Sequence, residues 1–178
     1  MAAIDVIKGW ADTIRQDTDA LKALLASATA DPHARRIAGA ALSYQVSKMD
    51  LIPDWNEGIG VLDDVMVLRV CAQLTSALPR GELPTAVEIA LERMANEAER
   101  IGELLGGPLY DRLRAYCARL VDHVVRGRSP AQLVDDAAAR AALFAELDGE
   151  LARAVPIVLA DPADAEVRLK AYLMHKLK

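Results

Sequence analysis

Proline and glycine divide this chain into segments whose apolar residues recur with the period of an α helix. The first segment covers about residues 3–27, with Ile4, Ile7 and Leu21 at near-helical spacings. Three later segments open on a capping side chain followed by proline at the first helical position, a pattern typical of a helix start. These pairs are Asp31-Pro32, Ser129-Pro130 and Asp161-Pro162.

Composition favours the same fold class. Aromatic residues make up only 4% of the chain, whereas hydrophobic residues make up 53%, mostly alanine and leucine. Alanine has the highest helix propensity, and strands are enriched in aromatic and β-branched residues. We therefore predict an all-α bundle of seven or eight helices without a sheet. Further helices are expected over 33–47, 61–78, 85–105 and 109–126, with Thr85 and Glu88 as a capping box and a break near Gly149 or Pro156 in the helix that begins at Ser129-Pro130.

Charge and hydropathy exclude two classes of protein. The formal charge is −5, which does not favour a general nucleic-acid binder. The longest uncharged run, 37–47, is too short to span a bilayer, so we expect no transmembrane helix. Cys71 and Cys117 have no metal-site spacing, and we predict two buried, reduced thiols in a cytoplasmic protein.

The proline-rich stretch 79–84 predicts a boundary between regions 1–78 and 79–178, packed together as a single unit.

An acidic loop follows the second predicted helix. Five carboxylates lie within fifteen residues: Asp50, Asp54, Glu57, Asp63 and Asp64. At 100° per residue, Asp63 is in line with an apolar stripe through Val67 and Val70, and Asp64 lies at its edge. Arg69, Gln73 and Ser76 form the opposite face. The sequence therefore predicts that both acids at this helix start point toward the core.

A buried carboxylate needs a compensating partner. The helix N-terminus supplies N–H groups. Arg35, Arg36 or Lys48 could supply ion pairs, and a divalent cation such as magnesium, calcium or manganese could be held by the acids with loop carbonyls. Tyr44 either packs in the core or extends its hydroxyl toward the acids. Beside it, the small residues Ala40, Ser43 and Ser47 would allow another helix to approach closely.

The loop resembles the YkvA-like family, a small bacterial domain of unknown function. Members have a tyrosine on a helix, an S-x-x-D-L-I-P-D turn, a glycine and a D-D pair that opens an apolar helix. The corresponding residues here are Tyr44, Ser47, Asp50-Leu51-Ile52-Pro53-Asp54, Gly60 and Asp63-Asp64. The resemblance covers about 34–75, and it departs from many members at Lys48-Met49, where they have proline. It implies an all-helical domain, in some relatives linked to membranes, and it implies no reaction.

Three functions follow as hypotheses. The first is a non-catalytic regulatory or interaction module, whose Asp-rich loop clasps the N-terminal helices and which binds a protein partner. The second is a metal-binding protein or small metal-dependent hydrolase that uses Asp50, Asp54, Asp63 and Asp64. The third is a module that binds an anionic membrane surface through the arginine-rich segment 112–128, which carries Arg112, Arg114, Arg119, Arg126 and Arg128. We favour the first, with no cofactor and no catalytic residue.

Overall fold

Helices form the whole secondary structure of the described chain, apart from one isolated bridge between Val125 and Arg128. The structure is a computed structural model, and it describes residues 2–47, 51–53, 55–56 and 58–178. Its helices are α1 (Ala3–Gly9), α2 (Ile14–Ala26), α3 (Pro32–Val46), α4 (Leu62–Thr75), α5 (Thr85–Leu105), α6 (Gly107–Arg119), α7 (Pro130–Asp135), α8 (Ala137–Ala152) and α9 (Pro162–Lys176). A 3-10 turn, Trp10–Thr13, joins α1 to α2, and another, Leu120–Asp122, follows α6. Because the first turn makes α1 and α2 one continuous helical stretch, the prediction of seven or eight helices in an all-α fold is confirmed.

The three helix starts predicted from a capping side chain and a proline are confirmed. The Asp31 carboxylate accepts hydrogen bonds from the backbone N–H groups of His33 and Ala34, at 2.8 and 3.3 Å. Ser129 and Asp161 each accept from the backbone N–H three residues later. These caps satisfy N–H groups that the first turn of a helix leaves free, and they therefore fix where α3, α7 and α9 begin.

One predicted helix cap is wrong, and one predicted helix has a break that the sequence analysis did not place. Thr85 is the first helical residue of α5 rather than its cap, since the chain enters this helix through Pro84 without a side-chain cap. The predicted break near Gly149 or Pro156 is present, because α8 ends at Ala152, and a further break lies at Asp136, whose carboxylate caps α8.

The predicted helix over 109–126 also ends early. The helix α6 stops at Arg119, and the chain then turns tightly through Arg126 and Gly127, which have φ angles of 51° and 76°. Two successive positive φ angles are typical of a tight hairpin turn and are incompatible with a helix. The arginine-rich segment is therefore not one amphipathic helix.

The centre of the molecule is α4, which packs against α3, α5 and α6, while α3 also contacts α2, α7 and α8. Helices from both sides of the stretch 79–84 thus share contacts, and the division into regions 1–78 and 79–178 stays a prediction. Most of α4 is buried on every side, including Arg69, which the helical wheel placed opposite the apolar stripe. An apolar helix enclosed by neighbours on all sides has no solvent face for its polar residues to occupy.

Candidate functional site

A buried tyrosine–aspartate contact joins the acidic loop to two helices. Tyr44, near the end of α3, donates its hydroxyl hydrogen to Oδ2 of Asp63 at 2.5 Å. The backbone N–H of Leu51 donates to the Tyr44 hydroxyl at 2.7 Å, and that of Ile52 donates to the same Asp63 oxygen at 3.3 Å. Asp63 is 1% exposed, in agreement with its position on the apolar stripe of α4. This Tyr44–Asp63 network therefore connects α3, the loop and the first turn of α4.

The electrostatics of the network keep the Tyr44 phenol protonated. Burial raises the pKa of Tyr44 well above its usual value, and the negative charge of Asp63 raises it further. An ionised phenolate would lose both its hydration and its hydrogen bond to the carboxylate. Tyr44 is thus a core residue that also donates a hydrogen bond to Asp63, so both predicted roles of this residue are present.

The other predicted acids differ in position. Asp64 is half-buried and lines a cavity of about 440 Å³ between the loop and the segment 154–158. Asp50, Asp54 and Lys48 lie outside the described residues. Within the described part of the chain, no three His, Cys, Asp or Glu side chains come close enough together to hold a metal ion. Metal binding by the four-aspartate cluster therefore stays a prediction.

The arginines proposed as partners of the acids act elsewhere or form no such pair. Arg35 donates to the backbone carbonyls of Leu25 and Val134, at 2.8 and 3.1 Å, so it joins the end of α2 to α7. Burial lowers its pKa, and the nearby Arg140 lowers it further. Arg36 is half-buried and forms no ion pair with any carboxylate in the described residues. The prediction that Arg35 compensates the acids is wrong, because the α2–α3 connection brings it to carbonyls that need donors.

The loop is also held by the C-terminal helix. The side-chain amide of Asn56 donates to the Tyr172 hydroxyl at 2.6 Å and accepts from Arg168 at 2.9 Å. Gly58 has a φ of 81°, and a Cβ there would lie 3.0 Å from the Val158 carbonyl oxygen. Only glycine combines this backbone conformation with such a close approach. The acidic loop is therefore fixed from its far side by α9 and the segment before it.

The structure contains a second buried polar cluster that the sequence analysis did not predict. Arg69 is fully buried and donates to Asp17 of α2 at 3.0 Å and to Glu97 of α5 at 2.7 Å. Arg93 bridges the same two carboxylates, and the Arg69 guanidinium lies 4.4 Å from the centre of the Trp10 ring. Burial lowers the pKa of Arg69, whereas Asp17 and Glu97 oppose that shift. The sequence feature that could have indicated this cluster is a single arginine within the apolar run of α4.

The arginine-rich segment supplies internal contacts as well as surface charge. Arg114 donates to Gln73 of α4. Arg126 and Arg128 both pair with Glu146 of α8, at 3.2 and 2.5 Å, and these arginines lower the pKa of Glu146. Three of the five arginines of this segment thus form internal contacts, and Arg112 and Arg119 are exposed. No helix in the described ranges has the length and apolarity needed to cross a bilayer.

This geometry defines an all-α protein with an acidic loop that is hydrogen-bonded to α3, α4 and α9. Residues 34–69 match the model of a family described as "Protein of unknown function (DUF1232)". The YkvA-like resemblance is consistent with this family and is thereby confirmed over that range. No curated protein and no solved structure matches the chain.

Proposed function

We propose that this protein is a non-catalytic regulatory or interaction module in which the acidic loop clasps the N-terminal helices. The observation that carries the proposal is the use made of Asp63. Its carboxylate is 1% exposed and accepts hydrogen bonds from Tyr44 and from the backbone of Ile52. A substrate cannot reach this carboxylate, and one of its oxygens already accepts two internal hydrogen bonds. Both properties favour a structural role over a catalytic one.

Geometry around the loop supports the same function. A general acid or base must reach the substrate's proton directly or through one water, and the Tyr44–Asp63 network lies beneath the loop. A nucleophile would need an adjacent base, whereas burial raises the pKa of Cys117 well above its usual value, and the thiol of Cys71 beside it adds to the shift. Both observations support a non-catalytic role.

A thermal-shift series tests the clasp against the metal-site hypothesis. We expect the melting temperature to be the same with magnesium, calcium, manganese or EDTA, and Asp63→Asn to lower it equally in all of them. A metal at 100 times its Kd would instead add about 2.7 kcal/mol to the free energy of unfolding. A cation-dependent stabilisation that Asp63→Asn abolishes would overturn the clasp and restore the metal-dependent hydrolase as the better hypothesis.

Liposome flotation tests the membrane alternative. Trp55 is 78% exposed, and Val61 and Val155 are also exposed, beside the 440 Å³ cavity that Asp64 lines. Because Arg126 and Arg128 are engaged by Glu146, we expect no salt-sensitive binding to anionic vesicles. Flotation at low salt that is lost at high salt would favour a peripheral membrane module.

A further inference from the structure

A mostly apolar groove lies between the acidic loop and the chain that follows α8. It is the cavity of about 440 Å³ that Asp64 lines, and we call it the Trp55 groove after the aromatic residue in its lining. Ile14, Val65 and Leu151 line it from helices, and the uninterrupted apolar run 154–158 lines it from the segment before α9. A concave, largely apolar surface of this size is typical of sites that receive a partner's side chains.

Several apolar side chains around the Trp55 groove are exposed to solvent. Trp55, Val155 and Val158 are 78%, 80% and 73% exposed, and Val61 is exposed as well. Single exposed apolar residues are ordinary, whereas several gathered around one cavity mark an interaction site. A small molecule inside the cavity would leave these side chains in water. The occupant that covers them must therefore extend beyond the cavity, as a segment of another protein does.

The charge of the lining favours a cationic occupant. Asp64 and Glu150 both line the groove, against the single guanidinium of Arg153. Arg153 pairs with Glu150 at 2.9 Å, so the charge of Asp64 gives the lining a net negative charge. The sequence around Trp55 has the same sign, because residues 50–64 contain five carboxylates and no lysine or arginine. Complementary charge across an interface speeds association and excludes partners of the wrong sign.

Shape and charge together favour a protein segment over a membrane. A bilayer surface cannot enter a concavity, whereas the apolar face of a partner helix can place a side chain in a groove. Anionic headgroups would also be repelled by the acidic loop. Large apolar anchors that fill such a groove contribute most of the affinity of an interface, and basic residues beside the anchor would face the acidic lining.

We infer that the Trp55 groove binds a basic amphipathic segment of a partner protein. An apolar side chain of that segment enters the groove and covers Trp55 and Val155, and its lysine or arginine residues face Asp64. This inference rests on the proposed interaction module and names the class of its partner. The two proposals fail separately, because the metal series with Asp63→Asn tests the clasp without any peptide.

Selection from a random peptide library displayed on phage tests the inference with the full chain as target. We expect the selected peptides to combine a large apolar residue with neighbouring lysines or arginines. A selected peptide, made synthetically, is then measured by fluorescence anisotropy. Replacing its basic residues with serine should weaken binding about 10-fold, and raising the salt concentration should also weaken it, since exposed charges are screened.

Variants of the chain locate the binding site. Trp55→Ser should weaken binding of the selected peptide about 30-fold, the effect of losing an interface anchor, and Val155→Ser and Asp64→Asn should each weaken it about 5-fold. Ile89→Ser is the matched control, since Ile89 is an exposed apolar residue of α5 outside the groove. It should bind the peptide as the wild type does. Trp55→Ser, Val155→Ser and Ile89→Ser change exposed side chains, so all three should melt close to the wild type.

Four results would overturn the inference. The first is a selection that enriches no peptide, and the second is enrichment of peptides without basic residues. The third is unchanged peptide binding in both Trp55→Ser and Val155→Ser. The fourth is a different occupant of the groove: flotation with uncharged vesicles that Trp55→Ser abolishes would assign it to a membrane, and dimerisation that Trp55→Ser abolishes would assign it to a second copy of the chain.

Discussion

Replacing Arg69 with methionine tests whether the buried ion cluster stabilises the fold. The substitution keeps an unbranched apolar stem but removes the guanidinium from Asp17, whose side chain is fully buried. Breaking a buried ion pair from one side costs about 3–5 kcal/mol. Both carboxylates retain Arg93, but Glu97 keeps 24% of its side-chain surface exposed and is also compensated by water. Most of the loss therefore comes from Asp17.

The expected loss is about 4 kcal/mol, which for a chain of this size lowers the melting temperature by roughly 8–16 °C. Urea unfolding followed by circular dichroism measures it. The exposed pair of Arg100 and Glu103 offers a matched control, since Arg100→Met should change stability by less than about 0.5 kcal/mol.

A double-mutant cycle decides whether the cost arises from the stranded charge. In the Asp17→Asn background, Arg69→Met should cost about 1–3 kcal/mol less than it does alone. If Arg69→Met costs under about 1 kcal/mol, or costs the same in both backgrounds, the reasoning about the ion cluster is refuted.

Three further predictions concern pH, thiols and backbone conformation. Because the pKa of Tyr44 is raised in the folded state, its contribution to stability should be intact below about pH 10, where unfolded tyrosine ionises, and decline as the pH rises toward the raised value; urea unfolding should show a weaker alkaline decline in Tyr44→Phe. Burial raises the pKa of Cys117, so Ellman's reagent at about pH 8 should label it far more slowly in the folded chain than in urea, and equal rates would contradict its burial. Gly81→Ala should cost about 3 kcal/mol in thermal melting, because a Cβ at φ 70° would lie 2.6 Å from the Thr29 carbonyl oxygen. Gly127→Ala, at φ 76° with no atom within 4 Å, should cost only about 1 kcal/mol, and equal losses would show that the contact with Thr29 is irrelevant.

The sequence by itself determined the features that depend on residues within about one helical turn. The caps at Asp31, Ser129 and Asp161 place an acceptor two or three residues before the N–H groups it satisfies, and the structure has each helix start there. The burial of Asp63 also followed from its position on the apolar stripe of α4. Such features are set by local hydrogen bonds and by helical periodicity.

Tertiary structure alone decided which polar groups meet. Arg69 reaches Asp17 across 52 positions of sequence, and Arg35 reaches the Val134 carbonyl across 99. A helical wheel assigns Arg69 to a polar face, but α4 is enclosed by α3, α5 and α6, so its partners come from other helices. These contacts depend on how the helices pack, and that packing is driven by burial of apolar surface from the whole chain. A local sequence pattern does not specify it.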